Sequence, residues 1–174
     1  MAGKALLIID MLNDFVKEGA PLEVPETRRV IPVIQEETAK AHREEYPVIY
    51  VCDSHEPDDQ EFKRFGWPAH AVRGTAGAQV VDELQPSSGD LIVEKTTYSG
   101  FYNTGLDNML KTLGVDTLRL TGCVTHICVM FTASDAVLRG YAVEVVRRGV
   151  AGLAPEDHEA ALRIMNRVLG AAIV

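Results

Sequence analysis

Six short apolar runs separated by amphipathic stretches constrain this chain more than any other feature. The runs fall at 5–9 (ALLII), 48–52 (VIYVC), 91–93 (LIV), 117–120 (TLRL), 142–146 (AVEVV) and 171–174 (AAIV), each with the length of a buried strand. Between them, apolar residues recur at three- and four-residue spacing over roughly 26–44, 75–84, 104–113, 126–139 and 156–168, which predicts five helices. Gly114 and Gly140 supply helix stops, and Pro155 followed by Glu156 and Asp157 opens the last helix with favourable first-turn chemistry. Pro32 lies inside the first helical stretch and predicts either a kink or a later start. Strand and helix in alternation require a parallel sheet covered on both faces by right-handed crossovers. The expected architecture is α/β in three layers, α/β/α, with six strands.

Such sheets receive ligands beyond the carboxyl ends of their strands, near a reversal of strand order. Asp10 follows the first run, Asp53 and His55 the second, Lys95 the third, and Cys128 lies a few residues past the fourth. A nucleophile, a carboxylate, an ammonium and a candidate metal pair on one rim favour a catalytic site over a binding surface. The first run leads into DMLNDF, with no glycine-rich turn for a pyrophosphate, so no nucleotide cofactor is expected. The irregular stretch from about 53 to 74 exceeds an ordinary connection in this architecture and is expected to be functional.

At 174 residues, without repeats or low-complexity linkers, the chain is read as a single domain, 1–174. A net charge of −8 with scattered lysine and arginine argues against nucleic acid or an anionic membrane as partner, leaving a small molecule. Cys52, Cys123 and Cys128 form neither a CxxC pair nor a disulfide framework, which points to a reducing compartment. MAGKALLIID has no signal-peptide pattern and no apolar run nears the roughly 20 residues of a membrane span, so a cytoplasmic location is expected.

Cys128 sits in TGCVTHICVMFTASDAVLRG, where the fourth run ends at a glycine and helical periodicity begins. In the first turn of a helix starting near Thr125, unpaired N–H groups would favour a thiolate; equally, a free cysteine is a small buried hydrophobe. Asp10 is either a base or a turn cap. Lys95 is either a cation that lowers the pKa of both partners or a solvated strand-end charge. Asp53 and His55, two apart, with His70 returning from the loop, suit one metal ion, although Asp-Ser turns and packed histidines look alike in sequence. Phe15, Trp67, Tyr98, Phe101 and Tyr102 fall in the rim loops and would flank a flat apolar substrate, or simply pack locally.

LLIIDMLNDF, VEKTTYSGFYNT and TGCVTHICVMFTASDAVLRGY, in that order, resemble the isochorismatase-like cysteine hydrolases, which include nicotinamidases and N-carbamoylsarcosine amidases. The resemblance implies a Rossmann-like six-stranded parallel sheet, a catalytic triad of Asp10, Lys95 and Cys128, and a homodimer or homotetramer. It further implies a non-proline cis peptide between Cys123 and Val124, with the Val124 and Cys128 N–H groups as oxyanion hole. A divalent metal, commonly zinc, would be held by Asp53, His55 and His70, with Glu61 as a further candidate ligand. Phe15 and Trp67 match positions that flank a planar ring, with Tyr98 and Phe101 as additional candidates. The implied reaction is cysteine-dependent cleavage of a small-molecule carboxamide C–N bond through a thioester, nicotinamide to nicotinate and ammonia foremost. An N-carbamoylsarcosine or ureido-acid substrate is the alternative, and a ligand-binding or redox-sensing homologue is the non-enzymatic one. His126 departs from the acidic residue that nicotinamidases usually carry two positions before the cysteine.

Overall fold

The apolar runs become six parallel strands: β1 (Gly3–Ile9), β2 (Val48–Asp53), β3 (Leu91–Lys95), β4 (Val115–Cys123), β5 (Ala142–Ala151) and β6 (Ala172–Ile173), ordered β3-β2-β1-β4-β5-β6. The computed structural model describes residues 3–174; Met1 and Ala2, which open the expected domain, lie outside the described residues. The chain builds outward from β1 through β2 to β3, then returns to the other side of β1 with β4. The carboxyl ends of β1 and β4 therefore flank the reversal of order, where doubly wound sheets form their crevice.

Ala5, Leu6, Leu7, Ile8 and Ile9 are all fully buried because both faces of β1 are covered. Alternation divides them. Ala5, Leu7 and Ile9 join one core with Leu106, Leu110, Ala133 and Met165, while Leu6 and Ile8 join the other with Leu12, Val30 and Ile34. Each such aliphatic burial contributes about 1.5–3 kcal/mol before the entropy of ordering is charged against it.

The helices are α1 (Asn13–Val16), α2 (Thr27–Arg43), α3 (Gln60–Phe65), α4 (Leu106–Thr112), α5 (Met130–Leu138) and α6 (Pro155–Arg167). Helix α2 starts before Pro32 and runs through it, so the proline does not delay its start. A one-turn π-helix, Thr125–Val129, precedes α5 and takes up the first part of the stretch expected to be α-helical. The helix expected over 75–84 is absent. That segment forms two short 3-10 turns, Ala76–Ala78 and Asp82–Leu84, around an extended piece. Its backbone bonds go elsewhere: Asn13 N–H donates to Gln79 O at 2.9 Å and Val81 N–H to Met11 O at 3.1 Å. Helices α1 and α3, of four and six residues, are too short to carry a readable 3.6-residue period. No helix among the described residues is long and apolar enough to cross a membrane.

A charge network fastens α2 to the sheet at the end away from the rim. Arg119 on β4 donates through Nε and one terminal nitrogen to Glu37 at 2.6 and 2.7 Å and through the other to Glu144 at 2.9 Å, while Lys4 reaches Glu144 at 2.9 Å. Hydrogen bonding to Arg119 draws the Glu37 carboxyl below its ordinary range. At Glu144 burial pushes upward, but Lys4 and Arg119 outweigh it and the net shift is downward. Depressed carboxyl pKa values give stability that is present above the unfolded values and lost as pH falls through the folded ones. Arg119→Met is therefore expected to cost about 2 kcal/mol at neutral pH, where it strands two half-buried carboxylates. Urea unfolding should show the deficit shrinking as the pH is lowered below about 4; a deficit independent of pH would contradict the assignment.

Candidate active site

Strand ends place the ionisable groups. The β2–β3 register sets Asp53 opposite Lys95, each the last residue of its strand. Asp10, one residue beyond β1, takes a left-handed conformation with φ 51°, anchored by its N–H donating to Val51 O at 2.9 Å. Its Oδ1 accepts the Asp53 N–H at 2.8 Å, and its Oδ2 lies 2.8 Å from Lys95 Nζ. Lys95 also donates to Asp53 Oδ1 and lies 3.5 Å from Cys128 Sγ. Cys128 Sγ and one carboxylate oxygen from each of Asp10 and Asp53 fall within 4.8 Å of one another. All four side chains are buried. Beyond its ion pair with Lys95, Asp10 Oδ2 has no hydrogen-bond donor among the described residues, so it retains acceptor capacity beside the thiol.

Two buried carboxylates sharing one ammonium cannot titrate alike. Burial, reinforced by the charge of Asp53, raises Asp10 to about 6 against the pull of Lys95. Burial also opposes ionisation of Asp53, but Lys95 and His55 overcome it and hold that carboxyl below its ordinary range. Lys95 is desolvated too, yet the two carboxylates keep it well above an ordinary lysine. At Cys128 burial outweighs Lys95, and Asp10 adds to the upward push. Of the two readings the sequence left open, burial favours the neutral thiol at Cys128, whose proton has to leave during attack.

Gly122, the penultimate residue of β4, supplies a constraint that the sequence reading passed over. Its φ is 104°, and a Cβ there would overlap the carbonyl of Ile9. The Cys123–Val124 peptide that follows is cis. Val124 N–H finds no acceptor among the described residues, while Val124 O receives Ile127 N–H at 2.9 Å and Val129 N–H at 3.2 Å, shaping the π turn that presents Cys128.

Asp53, His55 and His70 converge, each offering one ligand atom within 4.8 Å of the others. His55 is fully buried; its Nδ1 is 3.0 Å from Asp59 Oδ2, and its Nε2 has no hydrogen-bond partner among the described residues, lying 3.8 Å from Asp53 Oδ2. His70 donates through Nδ1 to Pro68 O at 2.8 Å. Burial acts against the charged form of both imidazoles. It lowers His70, whereas at His55 the neighbouring Asp53 and Asp59 reverse it and raise the ring to about 8. An orphaned, buried imidazole nitrogen facing a carboxylate, with a second imidazole beside it, fits a divalent cation. Glu61 falls outside this cluster: its carboxyl, pushed up by burial, lines the neighbouring cavity. Asp14, which sequence reasoning also missed, accepts the Ala71 N–H at 2.8 Å and so fixes the backbone next to His70.

A cavity of about 330 Å³ opens over Cys128, lined by Phe15, Leu22, Glu23, Val24, Asp53, Glu61, Trp67, His70, Tyr98, Val124, Ile127 and Leu153, among others; among the described residues no lysine or arginine lines it. Phe15 meets His70 edge-on at 5.4 Å between centroids, and Trp67 Nε1 donates to Tyr98 OH at 3.5 Å. Phe101, expected at the substrate, is instead core: it is 5% exposed, packs on Tyr141 at 5.9 Å and lies under Arg139. Its position in the loop after Lys95 suggested the rim, but the loop folds back against α5, where Gly100 N–H donates to Thr132 Oγ1 at 3.0 Å. Tyr102 points to solvent, and His126 does not line the cavity.

The isochorismatase domain model matches residues 4–174. Among solved structures, the chain is 38% identical to N-carbamoylsarcosine amidase from Thermoplasma acidophilum, with 98% and 95% of the two chains covered and a TM-score of 0.89. It is 32% identical to the nicotinamidase/pyrazinamidase PncA from Bacillus subtilis, over 99% of each chain, TM-score 0.93. It is 34% identical to the pyrazinamidase of Pyrococcus horikoshii, determined in complex with zinc, over 98% of each chain, TM-score 0.92. Family match, sheet order and buried thiol site agree: the chain belongs to the isochorismatase family, as a cysteine hydrolase.

Proposed function

We propose that the protein is an amidohydrolase of nicotinamidase type, acting on a neutral, planar carboxamide. The observation that carries the reading is the meeting of thiol, half-free carboxylate and ammonium at the floor of a largely apolar cavity. Asp10 Oδ2 takes the thiol proton as Cys128 Sγ attacks the carbonyl carbon. The Val124 and Cys128 N–H groups hold the oxyanion. Asp10 returns the proton to the departing nitrogen, the C–N bond breaks, and ammonia leaves a thioester. Asp10 then removes a proton from water as the oxygen attacks the thioester, and the thiol is regenerated with release of the acid. Lys95 stays charged throughout and steadies the carboxylate. Asp53, His55 and His70 would hold a divalent ion, zinc foremost, which supplies a Lewis-acid contact for a ring nitrogen or second polar group of the substrate.

The lining distinguishes the candidate substrates. N-carbamoylsarcosine and ureido acids carry a free carboxylate, and away from the candidate metal site the cavity wall presents Glu23 and Glu61 to it, with no lysine or arginine among the described residues. A neutral ring amide between Phe15, Trp67 and Tyr98 avoids that repulsion. The test is ammonia release by purified protein from nicotinamide and, in parallel, from N-carbamoylsarcosine, before and after chelation and zinc replacement. Zinc-restored turnover of nicotinamide supports the reading, and preferential turnover of the carboxylate substrate overturns the substrate class. His55→Ala is expected to lose the metal and raise KM about tenfold or more while Cys128 stays open to alkylation. Unchanged metal content by elemental analysis would remove His55 from the site.

A further inference from the structure

In sequence Asp59 belongs to the acidic HEPDD cluster, which apart from His55 reads as solvated surface, yet its two carboxylate oxygens do separate things. Oδ1 accepts the Glu61 N–H at 2.9 Å and caps α3, while Oδ2 meets His55 Nδ1 at 3.0 Å. The backbone of His55 is pinned independently: its N–H donates to Ala71 O at 3.0 Å, and its carbonyl accepts from Arg73 N–H at 2.9 Å. Only the ring orientation and the position of the ring proton are left for a side chain to decide. In the neutral form that a metal requires, the imidazole carries one N–H, and since the Asp59 carboxylate can only accept, that proton sits on Nδ1 and the lone pair on Nε2. That lone pair belongs to the buried atom without a partner beside Asp53. His70 reaches the same state by another route, because the Pro68 carbonyl also can only accept.

We propose that Asp59 is a positioning residue for the candidate metal centre, which holds His55 in the Nδ1–H tautomer with Nε2 free for a divalent cation. The inference rests on the metal reading given above, and it adds a residue that does not itself touch the ion. It also gives α3 a purpose: the helix start fixes the carboxylate, and the carboxylate fixes the ring.

The substitution Asp59→Asn separates this role from capping. If its amide oxygen keeps the cap, its NH₂ faces Nδ1 and drives the ring proton to Nε2, which closes that nitrogen to a metal. Asp59→Ser retains a good cap and removes the partner of Nδ1 altogether. Zinc affinity, measured by competition with a chromophoric chelator, is expected to fall about 10–100-fold in both variants. In metal-free, histidine-labelled protein held at a pH above the His55 value of about 8, long-range ¹⁵N–¹H correlations should show Nδ1–H for His55 in the wild type and loss of that single tautomer in the variants. Thermal unfolding of the metal-free forms controls for the cap. Affinity within twofold of wild type, or an unchanged His55 tautomer, would overturn the role of Asp59 while leaving the metal reading intact. A wild-type protein that takes up no zinc would bring down both.

Discussion

Cys128→Ala is expected to lower ammonia release by about 10⁴-fold or more while leaving substrate and metal binding in place. The size follows from the covalent step: without Sγ there is no thioester, and Asp10 is left to direct water at an amide unaided. The fold should tolerate the change. Cys128 is 7% exposed and joins the core with Val129 and Ala133, so the variant removes one small side-chain atom from a site that borders an open cavity. Its neutral resting state makes the control clean, because no buried charge is deleted and Lys95 keeps both carboxylate partners. Ammonia release equal to wild type would remove the cysteine from the chemistry. Complete loss, with ligand still bound by calorimetry, would also exclude the ligand-binding or redox-sensing alternative for the wild-type protein.

For Asp10→Asn the expected loss is about 10³-fold or more, because one group serves both as acceptor for the thiol and as donor to the leaving nitrogen. The pH profile makes the prediction sharper. Asp10 is raised to about 6, and only its ionised form accepts the thiol proton. Wild-type kcat/KM should therefore fall below about pH 6 with a slope of one proton, and that limb should vanish in the variant. The stability effect has the opposite sign from an ordinary surface aspartate. Between the unfolded and folded pKa values the native state holds a proton that the unfolded chain has released, so Asp10 makes the protein less stable as pH rises through that window. Asn, which cannot ionise, removes that contribution. Loss of turnover should therefore come without loss of fold at neutral pH, as circular dichroism would show. A wild-type profile flat down to pH 5 would assign the proton transfer to another group, and a variant unfolded at pH 7 would contradict the electrostatic account.

The sequence read well where one physical rule acted alone. Continuous apolar runs such as LLII mark strands buried on both faces, and the amphipathic 26–44 stretch marks α2, because burial patterns of that length need no distant partner to interpret. It misread 75–84, where apolar spacing suggested a helix but the carbonyls and N–H groups of Met11 and Asn13 took the backbone hydrogen bonds. Phe101 failed for a related reason: a rim position in the chain says nothing about which way the loop folds back. Asp14 left no trace and Asp59 read as part of a solvated acidic cluster, since an aspartate in a turn looks the same whether it caps, clamps or faces a buried histidine.

By itself the sequence determined the α/β architecture, the six strands, and the placement of Asp10, Asp53, Lys95 and Cys128 at one rim, because strand direction and chain order suffice for those. Only the tertiary structure decided the ionisation of the group and the character of the cavity. Burial, which depends on every neighbouring element, favoured the thiol where the sequence had left thiol and thiolate both open, and split the two carboxylates around one lysine. The absence of lysine and arginine from the cavity wall among the described residues, on which the choice of substrate rests, is a property of side chains from separate loops that meet only once the chain has folded.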